Sequence, residues 1–147
     1  MPELVRSVVS RFQVYLKDRR QLPRLQVRLQ FTVALHRTTK GLSLRSRPQL
    51  LQGHTRDISV EGVAILVSQI HLDGRHLAAD GRELELRLEI GNGEPIALLV
   101  MPNRYERLDE AELGCSYLIG ARIVSMDDRD RIRYESFLSE RLEYQSA

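Results

Sequence analysis

From Leu25 to His36 the chain alternates. Leu25, Val27, Leu29, Phe31, Val33 and Leu35 occupy every second position, and Gln26, Arg28, Gln30, Thr32, Ala34 and His36 fall between them. Successive side chains of a strand point to opposite faces, so a period of two held this long predicts a half-buried β-strand and a sheet with one wet face. Arg28 and His36 fall on that wet face. Leu50 to Thr55 reads as a second strand and Gly62–Val67, an apolar run, as a third. Leu84, Leu86, Leu88 and Ile90 alternate through a fourth, Ile96 to Met101 starts a fifth, and Tyr117 to Val124 is a sixth. Pro102 marks an edge or a bulge in the fifth, since proline cannot donate to a ladder. Residues 38–49 read as a polar hairpin loop and residues 68–82 as irregular chain, with Asp73-Gly74 and Asp80-Gly81 as turn signals. Gly91-Asn92-Gly93 predicts a tight hairpin turn.

Helical spacing appears only at the two ends. Leu4, Val5, Val8, Val9, Phe12, Tyr15 and Leu16 form one stripe, which predicts an amphipathic helix over residues 2–18. At the other end Ser125 or Asp127 can cap a helix running to about Glu143, with an inward stripe of Ile132, Tyr134, Phe137, Leu138 and Leu142. Six short strands with a closing helix predict a mainly β protein, a six-stranded antiparallel β-barrel whose last helix covers an open end or edge. The expected organisation is an N-terminal helix at residues 1–18 and a barrel with its C-terminal helix at residues 19–147.

Charge divides the chain. Residues 1–56 hold 12 Lys/Arg against Glu3 and Asp18, whereas residues 57–147 hold 10 Lys/Arg against 18 Asp/Glu. A basic first part points to an anionic partner. Nearly all its cations are arginines, whose planar fork matches two phosphate oxygens or the O6/N7 edge of guanine. No apolar stretch reaches the roughly 20 residues that span a bilayer. A single cysteine, Cys115, forms no internal disulfide and suits a reducing cytoplasm.

Catalysis is hard to assemble from these residues. His36, His54, His71 and His76 are scattered without metal-ligand spacing, and no phosphate loop or nucleophile elbow occurs. The expectation is no enzyme, no metal and no cofactor. A site for a guanine nucleotide is easier to build. Arg20 and Arg24 are spaced so that a loop could fold both guanidiniums onto one ligand. Asp57 can accept from the N1–H and N2–H₂ edge of guanine. Ser59 offers a hydroxyl, the turn around it offers backbone N–H groups to a phosphate, and Gly62 allows positive φ and close backbone approach.

In this order, Arg20-x-x-x-Arg24, an alternating strand and then Asp57-x-Ser59-x-x-Gly62 resemble the PilZ domain. The segment Tyr117-Leu118-Ile119-Gly120-Ala121-Arg122-Ile123 is similar to that family's late strand. The resemblance covers about residues 19–140. It implies a six-stranded barrel that binds the bacterial second messenger cyclic di-GMP through its arginine and Asp-x-Ser motifs, and a bacterial cytoplasmic receptor without catalytic activity. The implied ligand-binding residues are Arg19, Arg20, Arg24, Asp57, Ser59 and Gly62. The arginine ahead of the motif, Arg19, is associated in the family with an intercalated ligand dimer. On this reading ligand orders the linker 18–24 over the barrel mouth and repositions the N-terminal helix, which passes the signal to a protein partner or forms a homodimer. Two other readings use the same residues. A PilZ-like interaction module would bind a protein partner and no nucleotide. Nucleic-acid binding through the basic part ranks last, because Phe12, Tyr15 and Phe31 belong to apolar stripes and leave no stacking platform.

Overall fold

The computed structural model describes residues 23–36, 49–91 and 93–146. The predicted N-terminal helix, Arg19 and Arg20, and nearly all of the 38–49 loop lie outside the described residues. The elements are β1 (Leu25–Gln26), β2 (Gln30–Leu35), β3 (Leu51–Ile58), β4 (Gly62–Val67), β5 (His71–Leu72), β6 (Arg75–His76), β7 (Leu84–Leu88), β8 (Ile96–Glu112), β9 (Cys115–Ser125) and the helix α1 (Asp128–Ser146).

Six of these strands close a barrel. Around it, β3 pairs with β2, β2 with β7, β7 with β8, β8 with β9, β9 with β4, and β4 returns to β3, every pair antiparallel. The alternation dictates what lies inside. Phe31, Val33 and Leu35 of β2, Leu84, Leu86 and Leu88 of β7, and Ile96, Leu98 and Val100 of β8 are all buried in one core. Each such side chain stabilises the fold by roughly 1.5–3 kcal/mol through removal from water. Strand β4 is buried along its whole length. Its Val63, Ile65 and Val67 join the main core, while Ala64 and Leu66 face the opposite way and pack with Cys115 and Leu118. This explains why it reads as an unbroken apolar run.

Several sequence expectations change: residues 68–82, read as irregular chain, contain the β5–β6 hairpin, and the second strand runs past Thr55 to Ile58. The continuous strand from Leu25 is broken at residues 27–29, leaving the two-residue β1 paired with the end of β3. The cause is Thr55, a buried residue of β3. Its hydroxyl donates to the Val27 carbonyl (2.6 Å) and accepts from the Leu29 N–H (2.9 Å), so a side chain stands where ladder bonds would be. The fourth strand stops at Leu88, and with Leu88 opposite Ile96 the connection is longer than a tight hairpin. The fifth strand runs far past Met101, over 17 residues, with a register shift between Pro102 and Arg104 that accommodates the proline. Its outer half, Asn103 to Arg107, is exposed, and pairing with β9 continues to Glu112 opposite Cys115.

Asp73 and Gly74 both take positive φ (53° and 73°), the two-residue turn that joins β5 to β6. Asp127 caps α1, its Oδ1 accepting from the Asp130 N–H at 2.8 Å. Asp130 in turn accepts from the Ala97 N–H (3.2 Å), and Arg133 donates to the Glu94 carbonyl (2.7 Å). These bonds tie the start of the helix to the start of β8. Tyr134 and Leu138 enter the core, with Phe137 and Leu142 packed against it. Ile132 is only half-buried.

Candidate functional site

Strand β3 carries the site to one end of the barrel. A register shift between Thr55 and Asp57 precedes Ile58, which points into the core and is fully buried. Asp57 therefore faces outward. Across the sheet edge Gln26 lies opposite Asp57 and Leu25 opposite Ile58, so Arg24 leaves the edge beside the carboxylate. Arg24 Nη1 donates to Asp57 Oδ1, and the guanidinium side chain is 50% exposed against 19% for the carboxylate. The sequence-predicted Arg24 and Asp57 are thus brought together.

The turn that follows is held from three sides. Within it, the Ser59 N–H donates to the Gly62 carbonyl (2.8 Å) and the Gly62 N–H donates to Ser59 Oγ (3.1 Å). From β9, the Ile123 N–H donates to the Glu61 carbonyl (2.8 Å). From α1, the Tyr134 hydroxyl donates to the Ser59 carbonyl (2.6 Å). Ser59 itself is buried, and its hydroxyl is engaged within the turn. Gly62 does not have the positive φ expected of it. It is needed for close approach instead, because a Cβ there would stand 2.8 Å from the Ala121 carbonyl oxygen of β9.

Outside the motifs, the register lines up a row that sequence alone does not reveal. Asp57 lies opposite Ala64, Ala64 opposite Gly120, and Gly120 opposite Arg104. Two small residues thus separate a carboxylate from a guanidinium along the outer wall. The Arg104 side chain lies over Gly120, where a Cβ would meet its Nε at 2.8 Å. Arg122, exposed, stands opposite Gly62. Arg104 carries no sequence signal, since Asn103-Arg104-Tyr105-Glu106-Arg107 shows no apolar period. Tyr134 was legible only as a stripe residue.

A second, open cleft of about 530 Å³ lies between the outer faces of β2 and β3 and the tip of the β8–β9 hairpin, with Arg28, Arg87, His54 and Cys115 on its walls. Cys115 Sγ is 3.9 Å from His54 Nδ1. Burial pushes the thiol pKa up, and burial with the nearby Arg28 charge pushes the imidazole pKa down. Both groups are therefore neutral at pH 7, which is no arrangement for a thiolate nucleophile. Among the described residues no group of three or more His, Cys, Asp or Glu could hold a metal ion, and no helix is long and apolar enough to cross a membrane.

No protein-family model matches this sequence, and no curated protein is similar to it. Solved structures are. The PilZ domain of YcgR from Escherichia coli, a structure with c-di-GMP, superposes with a TM-score of 0.59 at 11% identity, covering 87% of this chain and 94% of that one. The fold is that of a PilZ domain. The PlzA protein of Borreliella burgdorferi, a structure in complex with c-di-GMP, superposes with a TM-score of 0.52 at 13% identity, covering 93% of this chain and 58% of that one. The PilZ domain of CeSA from a cellulose-synthesising bacterium gives 0.48 at 18% identity, over 82% of this chain and 98% of that one. At 11% identity the likeness to the YcgR PilZ domain is one of fold.

Proposed function

We propose that this chain is a bacterial cytoplasmic receptor for cyclic di-GMP without catalytic activity. The observation that carries the reading is the meeting of Arg24 and Asp57 at the barrel mouth, beside a turn fixed by its own bonds, by β9 and by α1. A guanine base can take the carboxylate with its N1–H and N2–H₂ edge. A phosphate can take the guanidinium as a bidentate partner. Two neighbouring structures of the same fold are described with this ligand. Ser59 serves by shaping the turn, since its hydroxyl bonds the Gly62 N–H. Arg19 and Arg20 precede Arg24 by a few residues and supply the second half of the clamp; Arg19 supports an intercalated ligand pair. Ordering of the arginine linker on the ligand repositions the N-terminal segment, which acts on a protein partner.

Calorimetric titration tests this directly. Heat with saturation is expected when cyclic di-GMP is added to tens of micromolar protein, with a stoichiometry that falls in Arg19→Ala. A titration without heat, supported by unchanged melting in excess ligand, overturns the reading and leaves an interaction module that binds no nucleotide.

A further inference from the structure

Strand β8 runs on past its partner β7. The pairing with β7 ends at Val100, whereas pairing with β9 continues to Glu112. Among the described residues, the backbone from Asn103 to Glu112 bonds to β9 alone. The other edge of this stretch is a row of open N–H and C=O groups, a template for another strand. Its regular part is short. Arg104, Tyr105, Glu106 and Arg107 pair in step with Gly120, Ile119, Leu118 and Tyr117, and the register shifts before Arg104 and again after Arg107. All four are exposed. Tyr105 meets the His76 ring at 4.8 Å between centroids and is still 51% exposed, an aromatic ring set among charges. Among the described residues neither Arg104 nor Glu106 has an ion-pair partner.

We propose that this edge pairs with the same edge of a second copy of the chain, joining two barrels through one antiparallel sheet. Symmetry limits the register. Directly opposite residues of an antiparallel pair project to the same face, and successive residues to opposite faces. A strand paired with its own copy about a two-fold axis must therefore set one residue opposite itself. Arg104 or Arg107 at the axis would oppose two guanidiniums, and Glu106 would oppose two carboxylates. Like charges directly opposite are unfavourable. Tyr105 at the axis brings two aromatic rings together instead. It also sets Arg104 against the partner's Glu106, and the symmetry repeats that pair. The charges that would repel a foreign edge thus match this chain's own. About five residues a side bury less than the roughly 800 Å² per partner of a standard interface, so the association is weak and depends on concentration. Nothing in this pairing depends on the nucleotide, and it uses a surface apart from the Asp57–Gly62 turn.

Sedimentation of the full chain from about 10 μM to about 1 mM reads this equilibrium, the range suited to a contact of this size. A reversible monomer–dimer equilibrium is expected. Glu106→Arg sets guanidinium against guanidinium at both pairs, and Arg104→Glu sets carboxylate against carboxylate. Each is expected to weaken dimerisation about tenfold, with Tm unchanged. The double swap, Arg104→Glu with Glu106→Arg, restores opposite charges and is expected to restore the dimer. In Tyr105→Cys the introduced thiols face each other at the axis, so mild oxidation is expected to link two chains, and Glu110→Cys is expected to give no link. Cys115 is buried and takes no part in such a link. A chain that stays monomeric throughout overturns the proposal. So does a dimer indifferent to both single reversals, which another surface such as the N-terminal segment must carry. A double swap as weak as the single variants, or equal linking through Glu110→Cys, also overturns it. Failure to bind cyclic di-GMP overturns the functional reading and leaves this pairing standing.

Discussion

Arg24 and Asp57 stand 33 residues apart in the chain, and their side chains meet in a charge-assisted hydrogen bond at the mouth of the barrel. In the ligand-free protein each neutralises the other. Because the guanidinium is half exposed, the pair stabilises the fold by less than about 1 kcal/mol, and a ligand that satisfies both groups can displace it.

Asp57→Asn and Arg24→Ala should therefore separate binding from folding. Loss of a charge-assisted contact is expected to weaken cyclic di-GMP binding about tenfold to a hundredfold. Tm should move by only a few degrees. Calorimetric titration beside thermal melting checks both; a large drop in Tm with unchanged affinity would assign the pair to structure.

Thr55→Val tests the break between β1 and β2. The variant is nearly isosteric but leaves the Leu29 N–H without its 2.9 Å acceptor and the Val27 carbonyl without its 2.6 Å donor. Destabilisation of about 1–3 kcal/mol is expected. Denaturant unfolding measures it, and faster hydrogen exchange at Leu29 locates it.

Gly62→Ala probes the approach of β4 to β9. The added methyl meets a backbone carbonyl at 2.8 Å, which cannot swing aside as a flexible side chain can. A loss of about 1–3 kcal/mol is expected from overpacking. A variant as stable as the wild type would show that the two strands separate without penalty.

Glu135 makes stability depend on pH. It is 4% exposed, and its Oε2 has no hydrogen-bond partner among the described residues. Burial raises its pKa, and Arg131, 3.9 Å away, opposes the shift. A carboxyl whose folded pKa lies above its unfolded value binds more protons in the folded state. Its contribution is therefore fully present below the ordinary glutamate range and is lost as pH rises through the folded pKa. Glu135→Gln should raise the urea midpoint at about pH 7 and leave it nearly unchanged at about pH 4, the range of an unperturbed glutamate. Equal midpoints at both pH values would sink the prediction.

Much of the barrel was legible because one face of most strands is buried, and burial leaves a period of two in the sequence. Where both faces are wet, the signal vanishes. Residues Asn103 to Arg107 of β8 are exposed on both sides, so this part of a strand held by backbone pairing to β9 leaves no period of two in the sequence. Thr55 shows the converse: the alternation of Leu25 to Leu29 is intact, yet one buried hydroxyl in another strand interrupts the ladder.

The sequence by itself determined the six strands, the closing helix and the position of the Asp57–Gly62 turn, since periodicity and turn chemistry act over a few residues. Only the tertiary structure decided how that turn is used. It set Arg24 against Asp57, engaged the Ser59 hydroxyl in the turn, placed Gly62 against the Ala121 carbonyl instead of in a positive-φ bend, and put Arg104 at the end of the Asp57 row. It also brought Tyr134, 75 residues away, to the Ser59 carbonyl. Each of these depends on the register between strands or the seating of a helix. Register follows from packing across the whole barrel, which no local pattern of residues encodes.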